Sequence, residues 1–250
     1  MKAHATSVVV LTGAGISAES GLPTFRDKDG LWEGYRVEDV ACPEAFQRNP
    51  QLVQRFYNLR RAALLGVVPN AAHLALARLQ REFPGRVTLI TQNIDDLHEQ
   101  AGASEVIHMH GELRRVRCVH CGHGGEWAGD LLTTTACPGC GRCAGMRPDI
   151  VWFGEMPYHM ARIEKELEQA DVFAAIGTSG HVYPAAGFVQ LAKLAGARTL
   201  EINNAPTLVS ECFDRQLSGP ATREVPRWVD EMLGGQPGPR VSRLAREGGE

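Results

Sequence analysis

The chain has 250 residues, 44% of them hydrophobic and 22% charged, with a formal net charge of −3. That balance suits a globular protein able to bury a sizeable core, and it carries no electrostatic footprint for nucleic acid or an anionic membrane surface. Of the seven cysteines, four fall in two C-x-x-C pairs, which points to metal binding in a reducing compartment and to a cytoplasmic location, not to a disulfide framework. In chain order, the first element is a buried strand, "SVVVLTGAG", running into a glycine turn and too short for a signal peptide or a bilayer span. Helices are expected over 50–65 and 70–83, then a strand in "RVTLITQNID". Residues about 113–150, rich in Cys and Gly and without periodic apolar positions, read as an inserted module. A helix over 158–170, a strand in "DVFAAIGTS", a helix over 184–196 and a strand in "RTLEINNA" follow. This alternation predicts an α/β fold, a parallel sheet with helices on both faces. The closing "GGQPGPRVSRLAREGGE" has too little apolar content to pack, so one domain over 1–234 and a flexible tail over 235–250 are expected.

The helix over 50–65 contains an oddity. At about 100° per residue, Leu52, Phe56, Leu59 and Ala63 share an apolar arc extended by Val53 and Leu64. Arg61 falls opposite that arc and Arg55 at its margin, as solvated charges should. Arg60 instead projects between Phe56 and Val53, with Tyr57 beside it. A buried guanidinium needs an anion or a route to water, the ordinary outcomes being an internal salt bridge or a stem that reaches outward.

Cys118-x2-Cys121, fifteen intervening residues and Cys137-x2-Cys140 make a four-thiolate zinc pattern. Four protein ligands leave no open position, so such a zinc is structural. Cys143, His120 and His123 lie close enough in sequence to compete for the fourth place; the proline and glycine of "ACPGCG" favour Cys137 and Cys140. Cys42 and Cys212 read as small buried residues. The turn "GAGISAESG" departs from G-x-G-x-x-G, yet its glycines suit close approach of a pyrophosphate to backbone amides at a helix N-terminus. Where a Rossmann strand usually ends in a ribose-binding acid, "EINNA" offers amides.

Taken together, "GAGISAESGLPTFR", "TQNID", "HG", the paired C-x-x-C, "RPDIVWFGE", "GTS" and "INN" occur in an order that resembles the sirtuins, NAD-dependent protein deacylases, up to about residue 230. The resemblance implies a Rossmann-like domain with a small zinc lobe and a peptide cleft between them. It implies that Gly13, Ala14, Gly15, Ser17, Thr24, Phe25, Arg26 and Trp32 serve the cofactor loop, and that Gln92, Asn93, Ile94 and Asp95 hold nicotinamide and its ribose. Gly177, Thr178, Ser179, Asn203, Asn204 and Ala205 would take the adenosine half, with Ala221 closing over the adenine. Val151, Trp152, Phe153, Gly154 and Glu155 would lend backbone to pin a peptide as a strand.

NAD is then a consumed substrate. The acyl-lysine oxygen attacks the ribose carbon as nicotinamide leaves, and His110 is the implied base for a ribose hydroxyl, assisted by Asn93 and Asp95. His108, on the other face of an extended stretch, reads as structural. Tyr57 and Arg60 resemble the pair that marks the branch removing succinyl, malonyl and glutaryl groups, and Ala41 the small residue that leaves their pocket room. The partners expected are acylated lysines of proteins or peptides, with no membrane and no specific nucleic acid. A plain deacetylase, a non-catalytic NAD-binding zinc module and an ADP-ribosyl transferase are the alternatives; mass spectrometry of the product distinguishes them.

Overall fold

Residues Ser7–Thr12 form the first strand, β1, buried at every position as expected of a strand covered on both faces. The computed structural model describes residues 6–24, 31–32 and 34–234, with the backbone alone at 31–32. The expected tail over 235–250 and the loop residues Phe25 and Arg26 lie outside the described residues. After β1 come the short pair β2 (Leu31–Trp32) and β3 (Tyr35–Arg36), then helices α1 (Val37–Val40), α2 (Pro43–Arg48), α3 (Pro50–Leu64) and α4 (Ala71–Glu82). Strand β4 (Arg86–Thr91), helix α5 (Leu97–Gln100) and β5 (Ile107–His108) lead into β6 (Gly111–Cys118), β7 (Gly124–Glu126) and β8 (Met146–Ile150). The chain closes with α6 (Met160–Glu168), β9 (Val172–Ile176), α7 (Phe188–Leu194), β10 (Arg198–Asn203), β11 (Arg215–Ser218) and α8 (Ala221–Met232).

Six strands make one sheet in the order β11-β10-β9-β1-β4-β5, every pair parallel. Side chains of β1 alternate between two cores, as a period of two requires. Val8 and Val10 face Leu76 and Leu79 of α4 and Val225 and Trp228 of α8. Val9 and Leu11 face Ile163 and Leu167 of α6 and Phe188 of α7. The inserted module holds a three-stranded antiparallel sheet, β7-β6-β8.

Helix α3 begins where its sequence says it should: Asn49 Oδ1 accepts from Leu52 N at 3.1 Å and Pro50 stands at the first helical position. Its buried face, however, is rotated from the expected arc. Leu59 is 55% exposed while Arg61 is 2% exposed, and Ala63 is exposed as well. The cause is a polar interface. Gln54 Nε2 donates to Met146 O, Asn58 Nδ2 to Leu131 O and Arg61 Nε to Leu113 O, at 3.0, 2.9 and 3.0 Å. Arg61 is thus the helix's link to the inserted module and not a solvated charge. Cys42, expected to be a buried apolar residue, is half-buried, and its Sγ caps α2 by accepting from Ala45 N; Cys212 is half-buried too. Among the described residues no helix is long and apolar enough to cross a membrane.

Candidate active site

The strand order reverses between β1 and β9, which opens a crevice beyond their carboxyl ends, the usual ligand position in such sheets. Two loops meet there: Gly13 N donates to Ile176 O at 3.0 Å and Gly15 N to Gly177 O at 2.9 Å. A Cβ on Gly15 would stand 2.7 Å from Gly177 Cα, so this glycine is required by the neighbouring loop as well as by any ligand. The turn continues as two 3-10 turns, Ala14–Ile16 and Ala18–Ser20, not as the helix N-terminus expected.

Ser17, buried at 2% exposure, joins two of the other expected site residues. Its Oγ donates to Asp95 Oδ2 at 3.1 Å and accepts from Asn93 Nδ2 at 3.1 Å. Asn93 Nδ2 also reaches Gly13 O at 3.2 Å. Behind them stands His73, which was not anticipated. Its Nδ1 accepts from Asn70 N at 3.3 Å, so its proton is on Nε2, 3.4 Å from Ser17 Oγ. Burial lowers the His73 pKa to about 4, keeping it neutral. Its place on the buried face of "NAAHLALA", three residues after a helix-capping Asn70, was the available signal. Burial also pushes the Asp95 carboxyl up to about 6, against hydrogen bonds from Leu97 and Ser17.

His110 Nδ1 lies 3.0 Å from Gln92 O. A carbonyl only accepts, so Nδ1 carries the proton and Nε2 keeps its lone pair. Burial lowers the His110 pKa, opposed by that bond. His108 differs: Nε2 meets Glu99 Oε1 at 2.8 Å and Nδ1 meets Asn93 O at 3.3 Å, both acceptors. Burial disfavours its charge, but the hydrogen bond and carboxylate of Glu99 outweigh it and raise the pKa. On the other side of the crevice, Asn203 Nδ2 donates to Thr178 O at 2.6 Å and its Oδ1 accepts from Asn204 N at 3.0 Å. Asn203 therefore fastens the loop of Gly177, Thr178 and Ser179, leaving Asn204 and Ala205 exposed. Ala221 is buried at the start of α8, Ile94 packs on the helical core of α1–α3, and Thr24 is exposed.

Tyr57, 1% exposed, sits in that helical core with Ala41, Phe46, Phe56 and Trp152. Its Oη accepts from Trp152 Nε1 at 3.0 Å. Arg60, one turn further on, holds its guanidinium 5.3 Å from the centre of the Phe56 ring. Residues 151–155, expected to lend backbone to a peptide, form a turn. Val151 N donates to His110 O, Trp152 N to Glu155 Oε2, Phe153 N to Ala41 O and Glu155 N to Trp152 O. With those amides satisfied inside the chain, the backbone of the segment can meet a peptide through the Gly154 amide and through its carbonyls.

The profile of the Sir2 family matches residues 13–184. The chain belongs to the Sir2 family. It is 57% identical over 229 residues to an NAD-dependent protein deacylase of Bdellovibrio bacteriovorus, covering 91% of this chain and 97% of that one. A second NAD-dependent protein deacylase, from Salmonella typhimurium, is 57% identical over 230 residues, 91% and 84% of the two chains. A solved Sir2 homologue in complex with NAD superposes with a TM-score of 0.83 at 43% identity, covering 92% of this chain and 91% of that one. A Sir2 complex with a deacetylated p53 peptide and 3′-O-acetyl-ADP-ribose superposes with a TM-score of 0.77 at 28% identity, covering 91% and 93%.

In this sirtuin the inserted module gathers Cys118, Cys121, Cys137 and Cys140, all four sulfurs within 4.8 Å of one another. Cys118 and Cys140 are 3.9 Å apart, Cys121 and Cys137 3.7 Å. A tetrahedron with Zn–S bonds of about 2.3 Å has edges of about 3.8 Å, so the thiolates fit a structural zinc. Backbone amides of His120 and Gly139 donate to Cys118 Sγ and Cys137 Sγ, as knuckle turns do. Cys143 turns away and donates to Thr134 O.

Proposed function

We propose that this sirtuin, an NAD-dependent protein deacylase, acts by preference on lysines whose acyl group ends in a carboxylate, succinyl and malonyl above all. The observation that carries the preference is the placing of Tyr57 and Arg60 one helical turn apart, with Tyr57 in the same core as the small Ala41. Burial pushes the Tyr57 phenol above its ordinary pKa, against Trp152's hydrogen bond and the Arg60 charge, so it remains a donor. A phenol O–H and a guanidinium can converge on one carboxylate.

NAD would lie across the crevice, with Gly13, Ala14, Gly15, Ser17 and Thr24 along the pyrophosphate and nicotinamide ribose, joined by Phe25, Arg26 and Trp32. Gln92, Asn93, Ile94 and Asp95 would hold the nicotinamide end, and Gly177, Thr178, Ser179, Asn203, Asn204, Ala205 and Ala221 the adenosine. The acyl oxygen bonds to the ribose carbon and the bond to nicotinamide breaks. His110 Nε2 then accepts the proton of a ribose hydroxyl, whose oxygen attacks the imidate carbon. Water completes the release of free lysine and O-acyl-ADP-ribose. The peptide would run along Val151–Glu155, using carbonyls and the Gly154 amide, and the substrates would be cytoplasmic proteins. Cys118, Cys121, Cys137 and Cys140 would hold the zinc away from this chemistry.

The test is kcat/KM for succinyl- and acetyl-lysine peptides with wild type and Arg60→Met, the product being followed by mass spectrometry. A lost charge-assisted hydrogen bond predicts a fall of about tenfold to a hundredfold on the succinyl substrate and a much smaller change on the acetyl one. An equal fall on both returns the protein to a plain deacetylase.

A further inference from the structure

Trp152 is held from several sides. Its backbone N–H donates to Glu155 Oε2 at 2.9 Å. The Arg147 guanidinium lies 3.2 Å from the centre of the indole, and the Phe46 ring packs against it at 5.5 Å. Glu155 is itself clamped, accepting from Arg147 at 2.6 and 2.9 Å and from Arg117 at 3.0 Å. From this fixed ring, Nε1 reaches the Tyr57 oxygen at 3.0 Å, with the two rings near parallel at 28°.

An indole N–H only donates. A phenol hydrogen prefers the plane of its ring and so has two orientations. Donation from Trp152 takes the lone pair on one side of Tyr57 Oη and directs the phenol's own hydrogen to the other. A histidine or serine in place of the indole could reverse roles; tryptophan cannot. Accepting one bond also polarises the O–H and strengthens it as a donor.

We infer that Trp152 is a specificity-positioning residue: its Nε1–H sets the direction in which Tyr57 presents its hydroxyl hydrogen, and with it the reading of a distal acyl carboxylate. The inference rests on the acidic-acyl preference and assigns the indole side chain a task separate from the backbone of residues 151–155. Through Glu155, it makes the segment offered to the peptide also the mount for the side-pocket donor. Acetyl-lysine, which has no distal carboxylate, is indifferent to that direction.

Trp152→Phe keeps an aromatic ring and removes the N–H. The succinyl-to-acetyl ratio of kcat/KM should fall by about two- to tenfold, the usual scale for one neutral hydrogen bond, with the change in KM for the succinyl peptide. The same substitution in a Tyr57→Phe background should cause no further fall in the ratio. Should Trp152→Phe not fold, 3-benzothienylalanine at position 152, which has the same shape without the N–H, gives the same readout. A ratio unchanged by the loss of the N–H, or a loss that persists without the Tyr57 hydroxyl, overturns the positioning role. If neither Tyr57→Phe nor Arg60→Met moves the ratio, the acidic-acyl reading itself fails, and this inference falls with it.

Discussion

Because the Gln92 carbonyl fixes the His110 proton on Nδ1, the remaining ring nitrogen is basic without any rearrangement. Burial also lowers its pKa below the ordinary 6.5, so protonation requires a more acidic solution than for a free imidazole. Deacylation should therefore stay flat from neutrality down to about pH 6.5 and fall only on the acid side of that value, read as the pH profile of kcat/KM. Replacing the proposed base, His110→Ala, should cut deacylation by about two orders of magnitude or more while NAD binding, measured by calorimetry, is largely retained. Near-normal turnover in that variant rejects the role. The neighbouring network is of another kind. His73, Ser17, Asn93 and Asp95 satisfy one another, so they are fixed in place before any ligand arrives. Motif spacing brought Ser17, Asn93 and Asp95 into view, but His73 sits far from them in sequence and only the fold closes that distance.

At the scale of an element, α3 is the instructive case. Its limits were legible because capping is local: an asparagine and a proline announce the start. Its orientation was not legible. Periodicity assumes that apolar residues are buried and charges are solvated, whereas α3 buries Gln54, Asn58 and Arg61 against backbone carbonyls of the inserted module. Arg61 also donates to Asn58 Oδ1 and Gly129 O. Arg61→Met should orphan those carbonyls and lower stability by about 1–3 kcal/mol for each one left unsatisfied, a loss of Tm that Arg60→Met should not match. Equal unfolding curves for the two variants would remove Arg61 from its anchoring part. Similar reasoning explains α8, a helix unannounced in the sequence. Pro226 interrupts its pattern, yet Val225, Trp228 and Val229 are buried against the sheet.

In the whole molecule the two lobes are sustained differently. The sheet has an apolar core on each face. The module's buried apolar cluster is Val116, Leu131 and Met146 with Cys118 and Cys137, two of its own metal ligands. Removing zinc therefore removes the centre of that cluster, and structural zinc is coupled to folding. One zinc per chain is expected by elemental analysis. Chelation, or Cys137→Ser, should lower Tm and make residues 113–150 the first site of limited proteolysis. A zinc-free preparation with an unchanged melting curve and no new cleavage would end that claim. The parallel sheet and the module were readable from alternation and cysteine spacing. The crevice between β1 and β9 was not, since it depends on strand order, which long-range pairing decides.

One helix carries both the anchor of the metal lobe and the pair proposed to read the acyl group: Gln54, Asn58 and Arg61 on one side, Tyr57 and Arg60 on the next. Purified stocks of this enzyme should consequently age in a recognisable way. Oxidants that capture the thiolates would loosen the helix from one flank, and the discriminating pair would lose alignment before the histidine chemistry does. The quotient of two rates, succinyl over acetyl, would then record a batch's redox history while its total protein and its NAD turnover still looked sound.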